Sequence, residues 1–137
     1  MPISKLKFIK YCAEFRKKDV IKLIPPNTRG IYALLKQHGK KKYDVVYIGM
    51  SGAAKAGIRG RLLSHEKKKK GLWSHFSVFE VWDNITEEEV RELEGLLRHI
   101  YRKDTRANKI ARQKAFGKLK SRKVRIRDLK KWPREAY

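Results

Sequence analysis

The chain has 137 residues, 41% of them apolar, which is enough for one core and one domain and too few for two. Thirty-six lysines and arginines against fourteen acids leave a net charge of +22, which points to a polyanionic partner, nucleic acid above all. The single cysteine, Cys12, excludes an internal disulfide and a cysteine-built zinc site, and no apolar run approaches the roughly 18 residues of a membrane span.

The N-terminal stretch MPISKLKFIKYC threads lysines through its apolar residues and offers no small-residue cleavage site, so an intracellular location, cytoplasmic or nucleoid-associated, is expected. Leu6, Phe8, Ile9, Cys12 and Phe15 recur at helical spacing and predict a first helix over 4–18 with a buried Cys12 thiol. Ile24-Pro25-Pro26 ends that unit. Residues 30–35 and 44–50 predict two strands of a hairpin, separated by a basic interval from Lys36 to Tyr43. A two-residue turn at Gly39-Lys40 pairs Leu35 with Asp44 and sets Tyr32 directly opposite Tyr47. The glycine-rich loop from Met50 to Gly57 lacks the residue order of a phosphate-binding P-loop.

A helix is predicted over 57–69, where Arg61 and His65, four apart, share a face. Lys67, Lys68, Lys69 and Lys70 then make a basic, solvated helix end. Residues 74–82 predict a third strand, and Thr86-Glu87-Glu88-Glu89 is a capping box opening a helix to about residue 103. A short helix over 105–116 and a basic tail follow, and there is no internal repeat.

Charge is unevenly spread. Residues 80–94 carry seven of the fourteen acids, whereas residues 95–137 carry sixteen bases against three acids. Glu87, Glu88 and Glu89 complement a helix N-terminus. Glu94 differs, because at 100° per residue it lies about 40° round the helix from Val90 and about 20° from Tyr101, on the margin of the apolar stripe. A carboxylate there needs an ion pair, a hydrogen bond or a metal.

In this order, Gly30-Ile31-Tyr32, Tyr47-Ile48-Gly49, Arg61, His65, Glu94 and Asn108 make residues 28–117 resemble the GIY-YIG endonuclease family. The resemblance implies an α+β fold with a small three-stranded antiparallel sheet flanked by helices. It also implies cleavage of DNA phosphodiesters with one Mg²⁺ (or Mn²⁺) per site, held by Glu94. Tyr32 and Tyr47 would lie in the site, one of them positioning or deprotonating the attacking water. Arg61 would contact the scissile phosphate, with His65 assisting and Asn108 helping to hold the site together. Fourteen residues separate the two tripeptides, more than the family usually has, so the lysine-rich hairpin tip is a candidate DNA contact. Arg59 competes with Arg61 for the arginine role, but only Arg61 has the four-residue relation to His65.

Those residue types suit the reaction. A carboxylate-bound hard cation stabilises a phosphate and its leaving oxygen, and Mg²⁺ needs few protein ligands because it keeps waters. A guanidinium forks onto phosphate oxygens. A phenol with a pKa near 10 becomes a useful base only among cations.

The resulting expectation is a metal-dependent endonuclease acting on double-stranded or branched DNA, without a membrane partner, with a homodimer or partner protein left open. Residues 1–28 are expected as a basic helical extension, 29–117 as the nuclease-like domain and 118–137 as a basic extension. Arg59, Lys41, Lys42, the lysines at 67–70, Arg122, Arg125 and Arg127 are the candidate DNA-backbone contacts. The alternatives are a catalytically inactive nucleic-acid-binding protein of the same fold and, on charge alone, a ribosomal protein.

Overall fold

The computed structural model describes residues 7–52 and 57–101. In chain order these form β1 (Ile9–Lys17), a 3₁₀ helix (Lys18–Leu23), β2 (Gly30–Gly39), β3 (Lys42–Ser51), α1 (Gly57–Lys68), β4 (His75–Val81) and α2 (Glu87–Tyr101). The strands make one four-stranded sheet in the order β1-β4-β2-β3, with every neighbouring pair antiparallel. The fold is therefore α+β, but with four strands rather than three.

The added strand replaces the first helix expected over 4–18. Residues 9–17 pair with β4, and irregularities between Ile9 and Tyr11 and between Ala13 and Arg16 interrupt the two-residue alternation. Phe15 takes the left-handed conformation (φ 55°), and its N–H donates to Ser77 Oγ instead of a strand carbonyl. Those breaks spread the apolar residues to a spacing that reads as helical. Cys12 is consequently exposed rather than buried. Nor are residues 9–24 an appendage, since Ile21 and Ile24 lie in the core.

The sheet has two apolar faces because strand side chains alternate. On one, Tyr32, Leu34, Val46, Phe76 and Val78 pack with Ile58 and Leu62 of α1, Ile21 of the 3₁₀ helix and Trp73. On the other, Ile31, Ile48 and Val81 pack with Val90 of α2. The capping box forms as expected. The Thr86 N–H donates to Glu89 Oε1 at 2.9 Å and the Glu89 N–H to Thr86 Oγ1 at 3.2 Å, which holds the Glu89 carboxyl below its ordinary pKa.

The hairpin forms with a different register. Its turn is Lys40-Lys41, closed by the Gly39–Lys42 pair, with Lys41 at the left-handed corner (φ 59°). A second irregularity leaves Val46 as an extra residue, because Leu34 pairs with Tyr47 and Leu35 with Val45. Tyr32 therefore faces Gly49, and Tyr47 is its diagonal neighbour on the same sheet face. The His38 imidazole reaches the Asp44 carboxylate at 3.1 Å.

The first glycine of the opening tripeptide has a steric task. Gly30 sits at φ 149°, and a Cβ there would lie 2.0 Å from the Phe79 carbonyl oxygen of β4. Gly30→Ala is expected to lower stability by about 1–3 kcal/mol through overpacking at this strand crossing. Equilibrium urea unfolding reads this directly, and an unchanged midpoint would contradict the contact.

Candidate functional site

The site is assembled from β2, β3, α1 and α2. Tyr32 is 1% exposed, and its ring lies across the backbone of Gly49, where a Cβ would fall 2.4 Å from the phenol oxygen. Only glycine at 49 leaves room for that ring. The Tyr32 and Tyr47 rings stack at 6.2 Å between centroids with 24° between planes. Although they are not directly opposed, the two phenols converge.

α1 brings His65 onto the same spot. Its Nε2 is 2.8 Å from the Tyr32 hydroxyl, and its ring centroid is 4.8 Å from that of Tyr47. The His65 carbonyl accepts the Lys69 N–H at 2.8 Å and the Trp73 indole N–H at 3.5 Å, which anchors this helix end. Lys69 Nζ turns back to His65 Nδ1 at 3.4 Å and stands 5.4 Å from the Tyr47 ring centroid. Lys69 therefore differs from Lys67, Lys68 and Lys70, which are exposed. Four identical neighbouring lysines carry no sequence signal of which one folds inward.

Electrostatics follow from this crowding. Burial, then Tyr47, then Glu94 push the Tyr32 phenol well above its ordinary pKa, and Arg61 opposes them. Burial, then the charges of Lys69, Arg61 and Lys68, hold the His65 pKa down at about 4. At neutral pH the imidazole is thus uncharged. Arg61 is exposed, yet its charge reaches both Tyr32 and His65.

Glu94 reaches the group from α2. α2 packs on the sheet face opposite α1, and from there the Glu94 charge reaches Tyr32. Glu94 is buried, at 8% exposure, and its Oε1 accepts a hydrogen bond from Arg98 Nη1 at 3.0 Å, one helical turn on. The ion pair meets the need expected of a carboxylate on the apolar margin. Among the described residues no group of three or more His, Cys, Asp or Glu side chains converges as a metal site. A single carboxylate still suits Mg²⁺, which binds through few protein oxygens and retains water, so the donor chemistry fits a hard cation at Glu94.

The remaining expected contacts are dispersed. Lys41 sits in the hairpin turn and Lys42 opens β3, both exposed. Asn108, the helix over 105–116, and Arg122, Arg125 and Arg127 lie outside the described residues. No helix among the described residues is long and apolar enough to cross a membrane.

His65 makes acid sensitivity testable. Its folded pKa lies below the free value of 6.5, so between about pH 6.5 and pH 4 the unfolded chain binds a proton that the folded chain resists. Stability should fall as pH drops through this window, and more steeply for the wild type than for His65→Gln. Urea midpoints at both ends of the window measure the difference, and equal slopes would contradict a buried neutral imidazole. Comparison with protein-family models, with curated proteins and with solved structures finds no match for this chain.

Proposed function

We propose that the protein is a divalent-metal-dependent DNA endonuclease of GIY-YIG type. The observation that carries this reading is a cluster of two stacked phenols and a neutral histidine, with an arginine and a buried carboxylate within electrostatic range of Tyr32. Ordinary sheet packing accounts for two tyrosines, but not for a carboxylate and an arginine brought within electrostatic range of them.

In this reading the phosphodiester lies over the exposed Arg61, whose guanidinium neutralises a non-bridging oxygen as charge builds on the phosphate. One of the two phenols positions the attacking water or, as its phenolate, accepts that water's proton. His65 orients Tyr32 through the 2.8 Å hydrogen bond without adding positive charge. Glu94 would hold the metal ion, which supplies Lewis-acid stabilisation of the phosphate and the leaving 3′ oxygen. The net charge of +22 holds the DNA backbone in place, with Lys41, Lys42, Lys67, Lys68 and Lys70 as the exposed candidates among the described residues.

A second reading, an inactive nucleic-acid-binding protein with the same fold, is favoured by one observation. Arg98 already neutralises Glu94, as a purely structural ion pair would. Nicking of supercoiled plasmid separates the two. Wild type is expected to nick with Mg²⁺ and not with a chelator, and Arg61→Ala to lose about 100- to 1,000-fold in rate. Glu94→Gln, with its fold checked by circular dichroism, is expected to lose the metal-dependent activity. Binding without nicking across several divalent metals and DNA forms would establish the second reading instead. DNA affinity should also fall steeply as salt rises, and a salt-independent dissociation constant would contradict backbone binding.

A further inference from the structure

We propose that Phe15 and Tyr43 form a stacking platform for an unpaired base of single-stranded DNA, on the sheet face opposite the phenol–histidine cluster. The stacking contact is independent of the endonuclease reading, and only the choice of DNA over RNA rests on it.

The platform spans the sheet. β1 and β3 are its two edges, separated by β4 and β2, so their backbones stand roughly 14 Å apart at about 4.8 Å per strand. Phe15 of β1 and Tyr43 of β3 nevertheless stack, with ring centroids 4.9 Å apart and 22° between planes. Each side chain therefore reaches inward over the intervening strands. Alternation places His75 on the opposite face from its neighbour Phe76, which packs with α1, and the Tyr43 ring meets His75 edge-on at 5.0 Å. On this face α2 packs around Ile31, Ile48 and Val81, whereas Phe15 is 50% exposed.

The platform is held from behind. His75 is buried, and its Nδ1 lies 2.9 Å from Ser74 Oγ. Burial, then the charge of Lys17, lowers its pKa, so Tyr43 rests against an uncharged imidazole at neutral pH. Phe15 takes the left-handed conformation (φ 55°), a strained choice for a bulky residue, and its N–H donates to Ser77 Oγ at 3.0 Å. The strained backbone thus presents half of an apolar ring to water, which stability alone does not favour.

Charge and shape together select the occupant. Residues 36–43 carry four lysines and no acid, and residues 14–18 carry three bases against Glu14. Lys17 pairs with His75, Lys42 precedes Tyr43, and both are exposed. Ammonium groups around a flat apolar ring match an unpaired nucleotide, with its phosphates on the lysines and its base on the open side of Phe15. Duplex bases are already stacked and paired, so a duplex offers the lysines its backbone and the ring nothing. An apolar protein surface would have to desolvate the lysine rim. The ligand class is therefore a single strand, such as one arm of a branched DNA.

The experiment measures binding of the full chain to a fluorescein-labelled oligothymidylate, roughly 12 nucleotides long, by anisotropy. An abasic strand of equal charge and a duplex of equal length are the comparisons. Wild type is expected to bind oligothymidylate more tightly than the abasic strand, a comparison that requires no variant. Phe15→Leu keeps the apolar bulk and removes the aromatic face. It should weaken oligothymidylate binding roughly 5- to 100-fold with duplex affinity and circular dichroism unchanged. Tyr43→Leu should show the same selective loss, and Phe15→Trp should retain binding. Equal wild-type affinity for oligothymidylate and the abasic strand would overturn the platform. A Phe15→Leu affinity equal to wild type, or an equal loss on the duplex, would do the same. So would a dimer in sedimentation that Phe15→Leu dissociates, because this face would then join two copies of the chain. Base-dependent binding confined to oligouridylate would overturn the assignment to DNA. Absence of plasmid nicking by the wild type would overturn the endonuclease reading and leave the stacking result standing.

Discussion

The arrangement depends on the contact between the Tyr32 ring and the bare backbone of Gly49. A side chain at 49 would occupy the space of the phenol, so the last residue of one tripeptide is a socket for the last residue of the other. With the ring seated there, its oxygen lies where His65 of α1 meets it, and Tyr47 stacks beside it. The mirrored tripeptides are thus one interlocking unit. Gly30 admits the β4 backbone, Gly49 admits a phenol, and the two tyrosines point to the sheet face that carries α1.

That packing sets the chemistry. Burying a phenol and an imidazole together, with lysines and an arginine nearby, selects neutral forms of both at physiological pH. The ground state of the site is therefore a neutral, hydrogen-bonded Tyr32–His65 pair, and the carboxylate whose charge reaches Tyr32 is Glu94, tied to Arg98. Removing Arg98 would leave a buried carboxylate uncompensated, whereas a divalent cation could take over the compensation. The same residue thus suits both a resting ion pair and a metal-holding role.

How much of this was legible in the sequence depended on the range of the interactions. The capping box at Thr86, the helix over 57–68 and the third predicted strand are written in neighbouring residues, and each lies within two residues of its expected place. Arg61 and His65, four apart on one helix, were placed together for the same reason. The register of β2 and β3 was not legible, because an extra residue at Val46 and an all-lysine turn shift the pairing with no composition signal. β1 was misread because its irregularities near Tyr11 and Phe15 break the alternation on which strand reading relies. The inward turn of Lys69 is purely tertiary, since only the folded position of His65 gives that ammonium an acceptor.

In the proposed endonuclease reading, a metal ion and a DNA phosphate meet beside Arg61 and Glu94. A crystal structure of the full chain with duplex DNA and Mn²⁺, using anomalous scattering to locate the metal, tests it most directly. The account predicts an anomalous peak bonded to a Glu94 oxygen, with the nearest phosphate also in contact with Arg61 and within reach of the Tyr47 hydroxyl. DNA bound elsewhere on the basic surface, with Glu94 still paired only to Arg98 and no metal beside it, would contradict it.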